Sequence, residues 1–371
     1  MDLMKNGLSH AAVDRIGQAL VRLQPKLDRA LFQQQALEGL ESLELKERVN
    51  HIISTLQAFL PSDFAKTAKL LKRLPAIWDR GPADDPLRGF AAWPLIDYVG
   101  VHGLEHPEIA LDLLEHLTEL FSAEFAIRPL LLNHPEIAQR YLQDWSLHPS
   151  EHVRRLASEG SRPRLPWGIQ LKPFVEDPSP NIPLLDTLKN DPSLYVRRSV
   201  ANHLNDIAKD HPDTVISICK KWYSKKPSEE VRWVIKHATR TLVKAGHPEV
   251  FPLLGYSEQV AIKKPQITLE SAALTLGESL SFSFKIQSTS TAAQKLVVDF
   301  ALHLVKANGR RQAKVFKLKS LNLAPREICQ LEKTHSIKPI STRKYYAGTQ
   351  VLEVLVNGKG VAECEFELSV P

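Results

Sequence analysis

The feature that most constrains the fold of this chain is a turn-and-helix segment that occurs three times. Each copy has a Pro-Ser turn followed by a helix with a Val-Arg pair: HPSEHVRRLASE, DPSLYVRRSVANHL and KPSEEVRWVIKHATRTL. The aligned valines, Val153, Val196 and Val231, lie 43 and 35 residues apart. Repeats of this length are typical of HEAT-like solenoids, in which each helix pair buries an apolar face against the next pair. The sequence therefore predicts an all-α HEAT-like helical solenoid with one concave surface lined by the second helices.

After about residue 265 the helical pattern gives way to short segments in which apolar and polar residues alternate. Five such segments are predicted strands: Ser279–Gln287, Lys295–Val305, Gln312–Leu318, Gln350–Val356 and Ala362–Val370. The dipeptides Asn308-Gly309 and Asn357-Gly358 favour hairpin turns. Seven or so short strands in about 110 residues are typical of an all-β immunoglobulin-like sandwich.

A chain of 371 residues, 43% of them hydrophobic, is long enough for two domains. We expect a HEAT-like domain at 1–257 and the sandwich at 258–371, with Gln259–Pro265 as the connecting segment. The three cysteines are scattered and odd in number, which favours a reducing compartment over a disulfide framework. No secretory signal, apolar run of about eighteen residues, zinc spacing or nucleotide-binding glycine loop is present. We therefore expect a cytoplasmic protein without a membrane segment, metal or cofactor.

Charge is distributed unevenly along the chain. The first 150 residues carry 15 Lys and Arg against 20 Asp and Glu, whereas residues 151–257 carry 17 against 12 and the remainder 16 against 10. A polyanion would therefore bind most favourably to the second and third segments, although a solvated basic surface without a partner is the alternative. The richest basic cluster of the sandwich is Arg310, Arg311, Lys314, Lys317 and Lys319. Lysines that protect an edge strand from pairing are the alternative there.

The fifteen residues from Val153 to Trp167 combine one carboxylate, four arginines and an indole. Gly160 is predicted to end a helix, and two prolines stiffen the loop after it. Arginine forks bind phosphate, and an indole offers a flat face to a base or a cation. The segment is therefore a candidate nucleic-acid-binding loop.

Two acids stand out from their surroundings. Glu124 lies in an apolar run, where a carboxylate is costly unless it is paired or used. It either pairs with Arg128 one helical turn later or faces a cavity. Glu159 follows 35 residues later, close to one repeat length, so the two acids can meet on adjacent repeats. The four-apart pair Trp93 and Asp97 is better explained by a core tryptophan.

Polar residues also follow one face of the two last repeat helices. Arg198, Asn202 and Asp206 are spaced four apart, which suits a ligand-facing ridge or a solvated face with a local ion pair. The next repeat places four residues near one face: Trp233, Lys236, His237 and Arg240. Its cations either hold phosphates or pair with nearby glutamates.

With these residues identified, the chain resembles the AlkC branch of the AlkC/AlkD HEAT-like alkylpurine DNA glycosylases. The resemblance covers about residues 1–256, through Ser158-Glu-Gly-Ser-Arg-Pro-Arg-Leu-Pro-Trp167, Asp191–Asp206 and Trp233–Arg240. The C-terminal sandwich is similar to the immunoglobulin-like domain that some AlkC members carry and AlkD members lack. Trp93-Pro-Leu-Ile-Asp97 is similar to a Trp–Asp pair of the AlkD branch, but the resemblance gives it no role here.

The resemblance implies a monofunctional DNA glycosylase that acts as a monomer on duplex DNA. It implies hydrolysis of the N-glycosidic bond of 3-methyladenine, 3-methylcytosine or 1-methyladenine, without full extrusion of the lesion. It assigns catalysis to acids near the scissile sugar: Glu124, Glu159 and Asp206. It places Trp167 beside the lesion, and it assigns phosphate contacts to Arg155, Arg162, Arg164, Arg198, Lys236 and Arg240.

The chemistry of such a reaction explains why acids would lie in a basic region. A methylated base is already a cation and a good leaving group, so carboxylates are needed to stabilise the oxocarbenium-like sugar and orient water. In a passive DNA-binding scaffold the same acids would only repel phosphate. Two alternatives remain open: a non-catalytic DNA-damage binder and a HEAT-repeat scaffold for protein interactions.

Overall fold

The computed structural model describes residues 4–224, 226–340 and 343–371. Within them the helical part has seventeen α-helices: α1 His10–Leu23, α2 Arg29–Leu37, α3 Leu45–Phe59, α4 Phe64–Leu71, α5 Leu74–Ile77, α6 Trp93–His102, α7 Pro107–Leu117, α8 Ile127–Asn133, α9 Pro135–Trp145, α10 Glu151–Gly160, α11 Lys172–Glu176, α12 Ile182–Leu188, α13 Leu194–Ile207, α14 Pro212–Tyr223, α15 Glu229–Ala238, α16 Arg240–Lys244 and α17 Val250–Leu253. Short 3-10 turns lie between some of them, including Ser179–Asn181.

The turn signals of the sequence mark where helices begin. Helices α7, α9 and α14 each start with the proline of a His-Pro pair. Proline suits this first position because its missing N–H has no intrahelical partner there and its fixed φ matches the helix. Helix α10 ends at Gly160, as its sequence predicts.

The three repeated segments form consecutive second helices of a stack. Helix α10 packs against α13, and α13 packs against α15. The aligned residues Val153, Val196 and Val231 are all buried. The first helices α7, α9 and α12 contact one another in sequence and form the other layer. The predicted helical repeat architecture is confirmed, and it places α10 and α13 side by side.

Close packing divides the chain into two compact units. One extends to Asp210 and includes Ser228–Ala238, and the other combines His211–Pro227 with Thr239–Pro371. The domain limits at 257 and 258 remain a prediction. Within the described ranges no helix combines the length and apolar character needed to cross a bilayer.

The C-terminal part is a two-sheet sandwich. Its described strands are β1 Ile262–Lys263, β2 Ile267–Leu269, β3 Ala273–Thr275, β4 Ser279–Ser288, β5 Gln294–Val305, β6 Arg311–Leu323, β7 Ile328–Ser336, β8 Gly348–Val356 and β9 Lys359–Ser369. In one sheet β4 pairs with β1, β2 and β7, and the other has the order β3-β9-β8-β5-β6. Pairing is antiparallel except between β3 and β9.

The inward-facing residues of both sheets form the sandwich core. Phe282 and Phe284 of β4, Phe300 of β5 and Phe366 of β9 are buried in it. The five predicted strands correspond to β4, β5, β6, β8 and β9, so the predicted sandwich is confirmed. Both residues of the Asn357-Gly358 turn have positive φ, 48° and 73°, as a tight hairpin requires.

Candidate active site

Glu159 lies at the end of α10, where the neighbouring repeat helix α13 covers it. Its carboxylate is buried and accepts hydrogen bonds from Arg162 Nη1 and from Ser199 Oγ of α13, both at 2.6 Å. Arg155 Nη2, one turn earlier on α10, lies 3.6 Å from Glu159 Oε1. Two guanidinium groups therefore approach the same carboxylate.

Asp206 near the end of α13 is the second buried acid. Arg162 Nε donates to Asp206 Oδ2 at 2.8 Å, and Arg162 Nη2 lies 2.8 Å from the same oxygen in an ion pair. Lys209 donates to the other oxygen, Oδ1, at 2.8 Å. Because Arg162 also binds Glu159, its guanidinium joins the acids of two adjacent repeats.

Glu124 lies in the turn before α8 and contacts the same group of side chains. Its Oε2 accepts from Arg155 Nη1 at 2.6 Å and from Ser122 Oγ at 2.7 Å. The predicted meeting of Glu124 and Glu159 is confirmed, because one guanidinium, that of Arg155, contacts both. The alternative pair with Arg128 is not formed, because that side chain donates to main-chain carbonyls instead.

The three acids and two arginines form a line of alternating charge, here called the acid–arginine chain: Glu124, Arg155, Glu159, Arg162 and Asp206. Burial alone would raise the pKa of Glu159, but Arg155 and Arg162, with the Ser199 hydrogen bond, outweigh it and hold that pKa below its ordinary value. Its carboxylate is therefore an anion kept ionised inside the protein.

Trp167 lies on the loop that follows Glu159. Its side chain is 57% exposed, and its φ of +62° lies in the left-handed region that non-glycine residues rarely adopt. The main-chain N–H of Gly168 donates to Leu165 O at 3.1 Å and closes the turn around it. The structure thus presents the indole on the surface, from the same loop that supplies Arg162.

The residues predicted to contact phosphate occupy four kinds of environment. Arg155 and Arg162 belong to the acid–arginine chain, and Arg164 forms two 2.8 Å hydrogen bonds to Asp210. Arg198 and Lys236 are exposed and form no ion pair among the described residues. The sixth residue of this predicted set, Arg240, is half-buried. Contact with DNA remains a prediction for all six.

Several polar partners of the acids have no signal in the sequence. Ser122 and Ser199 each donate to a carboxylate, yet a serine beside an apolar run is common in any helix. Tyr195, whose ring lies 4.7 Å from the guanidinium of Arg155, is marked in the sequence only by its place at the start of a helix. Among the described residues, no group of three or more His, Cys, Asp or Glu side chains is arranged to hold a metal ion.

Trp93 is a core residue, as predicted, but its partner is unusual. The buried indole donates from Nε1 to Asp97 Oδ2 at 2.8 Å, and Lys46 Nζ lies 3.5 Å from the same oxygen. Lys46 also lies 4.8 Å from the Trp93 ring centroid and 4.9 Å from that of Phe125. Asp97 Oδ1 is buried and has no hydrogen-bond partner in the described part of the chain. Burial, only partly offset by Lys46, raises the pKa of Asp97 to about 6.

This raised pKa predicts a pH dependence of stability. The folded protein holds the Asp97 proton more tightly than the unfolded chain, so the free energy of unfolding falls as pH rises from about 4 to 6. Above that window the loss is constant, at about 3 kcal/mol at most. We expect Asp97→Asn to remove this fall in denaturant titrations between pH 4 and 7. Asp144→Asn, at an exposed carboxylate of α9, is the control. A wild-type–variant difference that does not change with pH would contradict the prediction.

Comparison with known proteins supports the same fold over the whole chain. Residues 263–370 match the family profile described as "Uncharacterised protein YhaZ, C-terminal Ig-like domain". The chain is 40% identical over 332 residues to "Uncharacterized protein YhaZ" of Bacillus subtilis (strain 168), which covers 90% of this chain and 89% of that protein. It is also similar, with 37% identity and a TM-score of 0.90, to the Pseudomonas fluorescens alkylpurine DNA glycosylase AlkC bound to DNA containing an abasic site analog. That match covers 99% of this chain and 100% of the other.

A likeness of this extent, which includes both the helical repeats and the sandwich, defines the class as helical-repeat DNA glycosylases with an immunoglobulin-like domain. The chain belongs to the AlkC branch of that family. The family resemblance predicted from its loop and helix motifs is therefore confirmed.

Proposed function

We propose that this protein hydrolyses the N-glycosidic bond of cationic alkylated bases in duplex DNA and leaves an abasic site. The observation that carries the proposal is the acid–arginine chain, which holds three carboxylates together across adjacent repeats of an AlkC-like fold. The similar P. fluorescens enzyme is an alkylpurine DNA glycosylase and binds DNA with an abasic site analog. We infer that DNA is also the partner of this chain, which would act as a monomer without a metal or cofactor.

The proposed reaction needs negative charge more than it needs an acid. As the bond between C1′ and the base nitrogen breaks, its electron pair neutralises the cationic base, and positive charge develops on the sugar. Carboxylates close to C1′ stabilise that charge because they are fixed in advance and poorly screened by water. The oxygen of a water then bonds to C1′, and its proton passes to a carboxylate or to solvent.

The three acids differ in their access to water. The side chain of Glu124 is 14% exposed, against 7% for Glu159 and 3% for Asp206. We therefore assign the contact with the attacking water to Glu124. Glu159 and Asp206, the other two acids of the acid–arginine chain, would contribute to catalysis mainly through their negative charge.

The cations of the loop and helices divide into two proposed roles. Arg155 and Arg162 already bind carboxylates, and a phosphate would have to replace those bonds, so we assign them to positioning the acids. Arg164, Arg198, Lys236 and Arg240 remain the proposed phosphate contacts. The exposed face of Trp167 suits a cationic base, whose charge is attracted to the electron-rich face of the indole.

These features favour a class of substrate rather than one base. We propose 3-methyladenine, 3-methylcytosine and 1-methyladenine as substrates, because each carries a positive charge that carboxylates and an indole attract. Neutral bases lack that attraction and are also poorer leaving groups.

The test is a base-release assay. Purified protein is incubated with duplex DNA containing each methylated base, freed bases are separated by chromatography, and abasic sites are counted. Release of any of the three bases at a rate above a protein-free reaction is the expected result. Tight binding to damaged duplex without release would favour the DNA-damage binder, and no DNA affinity would favour the protein-interaction scaffold.

The sandwich supplies further proposed phosphate contacts along strand β6. Among the described strands this edge strand pairs with β5 alone, and its Lys314, Lys317 and Lys319 are exposed. We expect Lys314→Gln, Lys317→Gln and Lys319→Gln together to weaken DNA binding. The negative slope of log affinity against log salt should become shallower by up to about 3, or ~0.9 for each phosphate that the protein no longer neutralises.

A control with the same change in charge separates this strand from general electrostatics. Lys285, Lys333 and Lys338 are also exposed but lie outside β6, and their replacement by Gln should leave the salt slope unchanged. Equal losses in both triple variants would contradict a β6 contact. No loss in either would favour lysines that only protect the strand edge.

A further inference from the structure

Arg128 on α8 is a fully buried cation without a carboxylate partner among the described residues. Its relative exposure is 0%, and its guanidinium donates to two main-chain carbonyls instead. Nη1 donates to Gly160 O at 2.8 Å and Nε to Ile169 O at 2.5 Å. These carbonyls lie at the two ends of residues 160–169, here called the indole loop. One side chain therefore ties together the start and the end of that loop.

The indole loop contains the strained residue that the proposed site uses. Trp167 holds a left-handed main-chain conformation, which is unfavourable for a residue with a Cβ atom. Such a conformation persists only where the surrounding structure enforces it, and it is commonly found at functional sites. Contacts beneath the loop are the candidates for that enforcement.

Gly168 shows how closely Arg128 lies under the indole. A Cβ atom at this position would lie 3.2 Å from both Cδ and Nε of Arg128. That separation is shorter than an ordinary van der Waals contact, so the glycine lets the arginine stem pass directly beneath the residue after Trp167. The guanidinium is thus in position to fix the direction in which the indole points.

Arg128 also lies within the electrostatic range of the acids. Burial, together with Arg162, lowers the pKa of Arg128 to about 10, while Glu124, Asp206 and Glu159 act in the opposite direction. Removing a cation from water is costly, and hydrogen bonds to two neutral carbonyls offset that cost only in part. An apolar side chain would avoid this cost but would leave the carbonyls of Gly160 and Ile169 without this donor, so the charge is kept at the point where the two ends of the indole loop are joined.

We propose that Arg128 is a positioning residue for lesion recognition, whose guanidinium holds the indole loop so that Trp167 faces the damaged base. This inference rests on the proposed function for its account of the lesion. The geometry of the loop itself can be tested without it. An ammonium cannot replace the fork, because a lysine presents one point charge where the arginine spans two carbonyls.

A double-mutant cycle tests whether Arg128 acts through Trp167. Arg128→Lys should slow single-turnover base release about tenfold in the wild-type background, since small displacements of a positioned group cost one to two orders of magnitude. In the Trp167→Ala background the same change should have less than about a twofold effect, because the group that it positions is gone. Affinity for undamaged duplex should not change. An equal loss in both backgrounds would overturn the inference.

Gly168→Ala gives a milder perturbation that keeps Arg128 and leaves the backbone unstrained. The new methyl group would lie 3.1 Å from Leu165 Cδ2 and 3.2 Å from the arginine stem, so both side chains must give way by a few tenths of an ångström. We expect Gly168→Ala to slow base release about threefold when Trp167 is present. In the Trp167→Ala background it should cause no further slowing. Gln170→Ala, at the exposed residue directly after the indole loop, is the control. Identical behaviour of the two variants would count against the inference.

Tryptic cleavage reports the loop independently of activity. Trypsin cuts after Arg164 but not after Arg162, because Pro163 follows it. Arg128→Lys should accelerate cleavage after Arg164 about tenfold at an unchanged Tm, as expected for local opening of the loop. An unchanged cleavage rate would overturn the proposed role of Arg128 in holding the indole loop, whether or not the protein releases bases. Faster cleavage in a protein that releases no base would support that role and reject the proposed function.

Discussion

Glu159→Gln should lower the single-turnover rate of base release by about 1000-fold, the largest effect expected for a single change of charge at a preorganised site. Glu159 is the central acid of the acid–arginine chain and contacts both of its arginines. The amide keeps the shape of the side chain but removes the anion. In the proposed site, the charges of Arg155 and Arg162 would then be less compensated and would repel the positive charge that develops on the sugar.

DNA affinity gives this prediction its second readout. Loss of a carboxylate removes repulsion between the protein and phosphate, so affinity for duplex DNA should be kept or increased. Glu151→Gln, at an exposed glutamate at the start of the same helix, should change neither quantity. Because breaking a buried ion pair can itself unfold a protein, Tm is measured for both variants. A folded Glu159→Gln variant with full base release would remove this acid from the mechanism.

The sequence carried enough information to place the two glutamates in one site. Glu124 and Glu159 are separated by about one repeat length, and stacking of adjacent repeats brings residues at that spacing together. The Pro-Ser turns and the hairpin at Asn357-Gly358 were equally predictable, because each depends on local backbone chemistry. Local preferences of this kind hold in the folded protein because few distant contacts override them.

The choice of partners within the site could not be read in the same way. Sequence spacing offered only Arg128, four residues away, as a partner of Glu124. The packing of the repeats directs Arg128 to main-chain carbonyls instead and brings Arg155, 31 residues away in the chain, to the acid. Strand β7 escaped prediction because Leu331 is its one buried residue and the charged pair Glu332 and Lys333 follows it directly. Its pairing with β4 is a long-range contact that leaves little alternation in the sequence.

Two arginines of the indole loop allow a direct comparison of buried and exposed ion pairs. Arg162 binds Glu159 and Asp206 with its side chain 9% exposed, whereas Arg164 binds Asp210 at 35% exposure. We expect Arg162→Met to lower the free energy of unfolding by about 3–5 kcal/mol, because it leaves two carboxylates buried without their main cation. Arg164→Met should have a much smaller effect, because water solvates Asp210 once the arginine is gone.

Denaturant titration of both variants at pH 7 measures this difference in the free energy of unfolding. Lowering the pH should restore part of the stability lost in Arg162→Met. Protonation relieves an unpaired buried carboxylate, so the stability lost in Arg162→Met should shrink as pH is lowered from 7 towards 4. In the wild-type protein Glu159 has the opposite effect, because its pKa is depressed in the folded state. The stability that its carboxylate contributes is fully present above the pKa of the unfolded chain and is lost as pH falls through the pKa of the folded protein. The two curves should therefore converge at low pH, while Arg164→Met runs parallel to wild type. Equal losses in the two variants would mean that burial does not govern these ion pairs, and that Arg162 is as free as Arg164 to leave its acids for a phosphate.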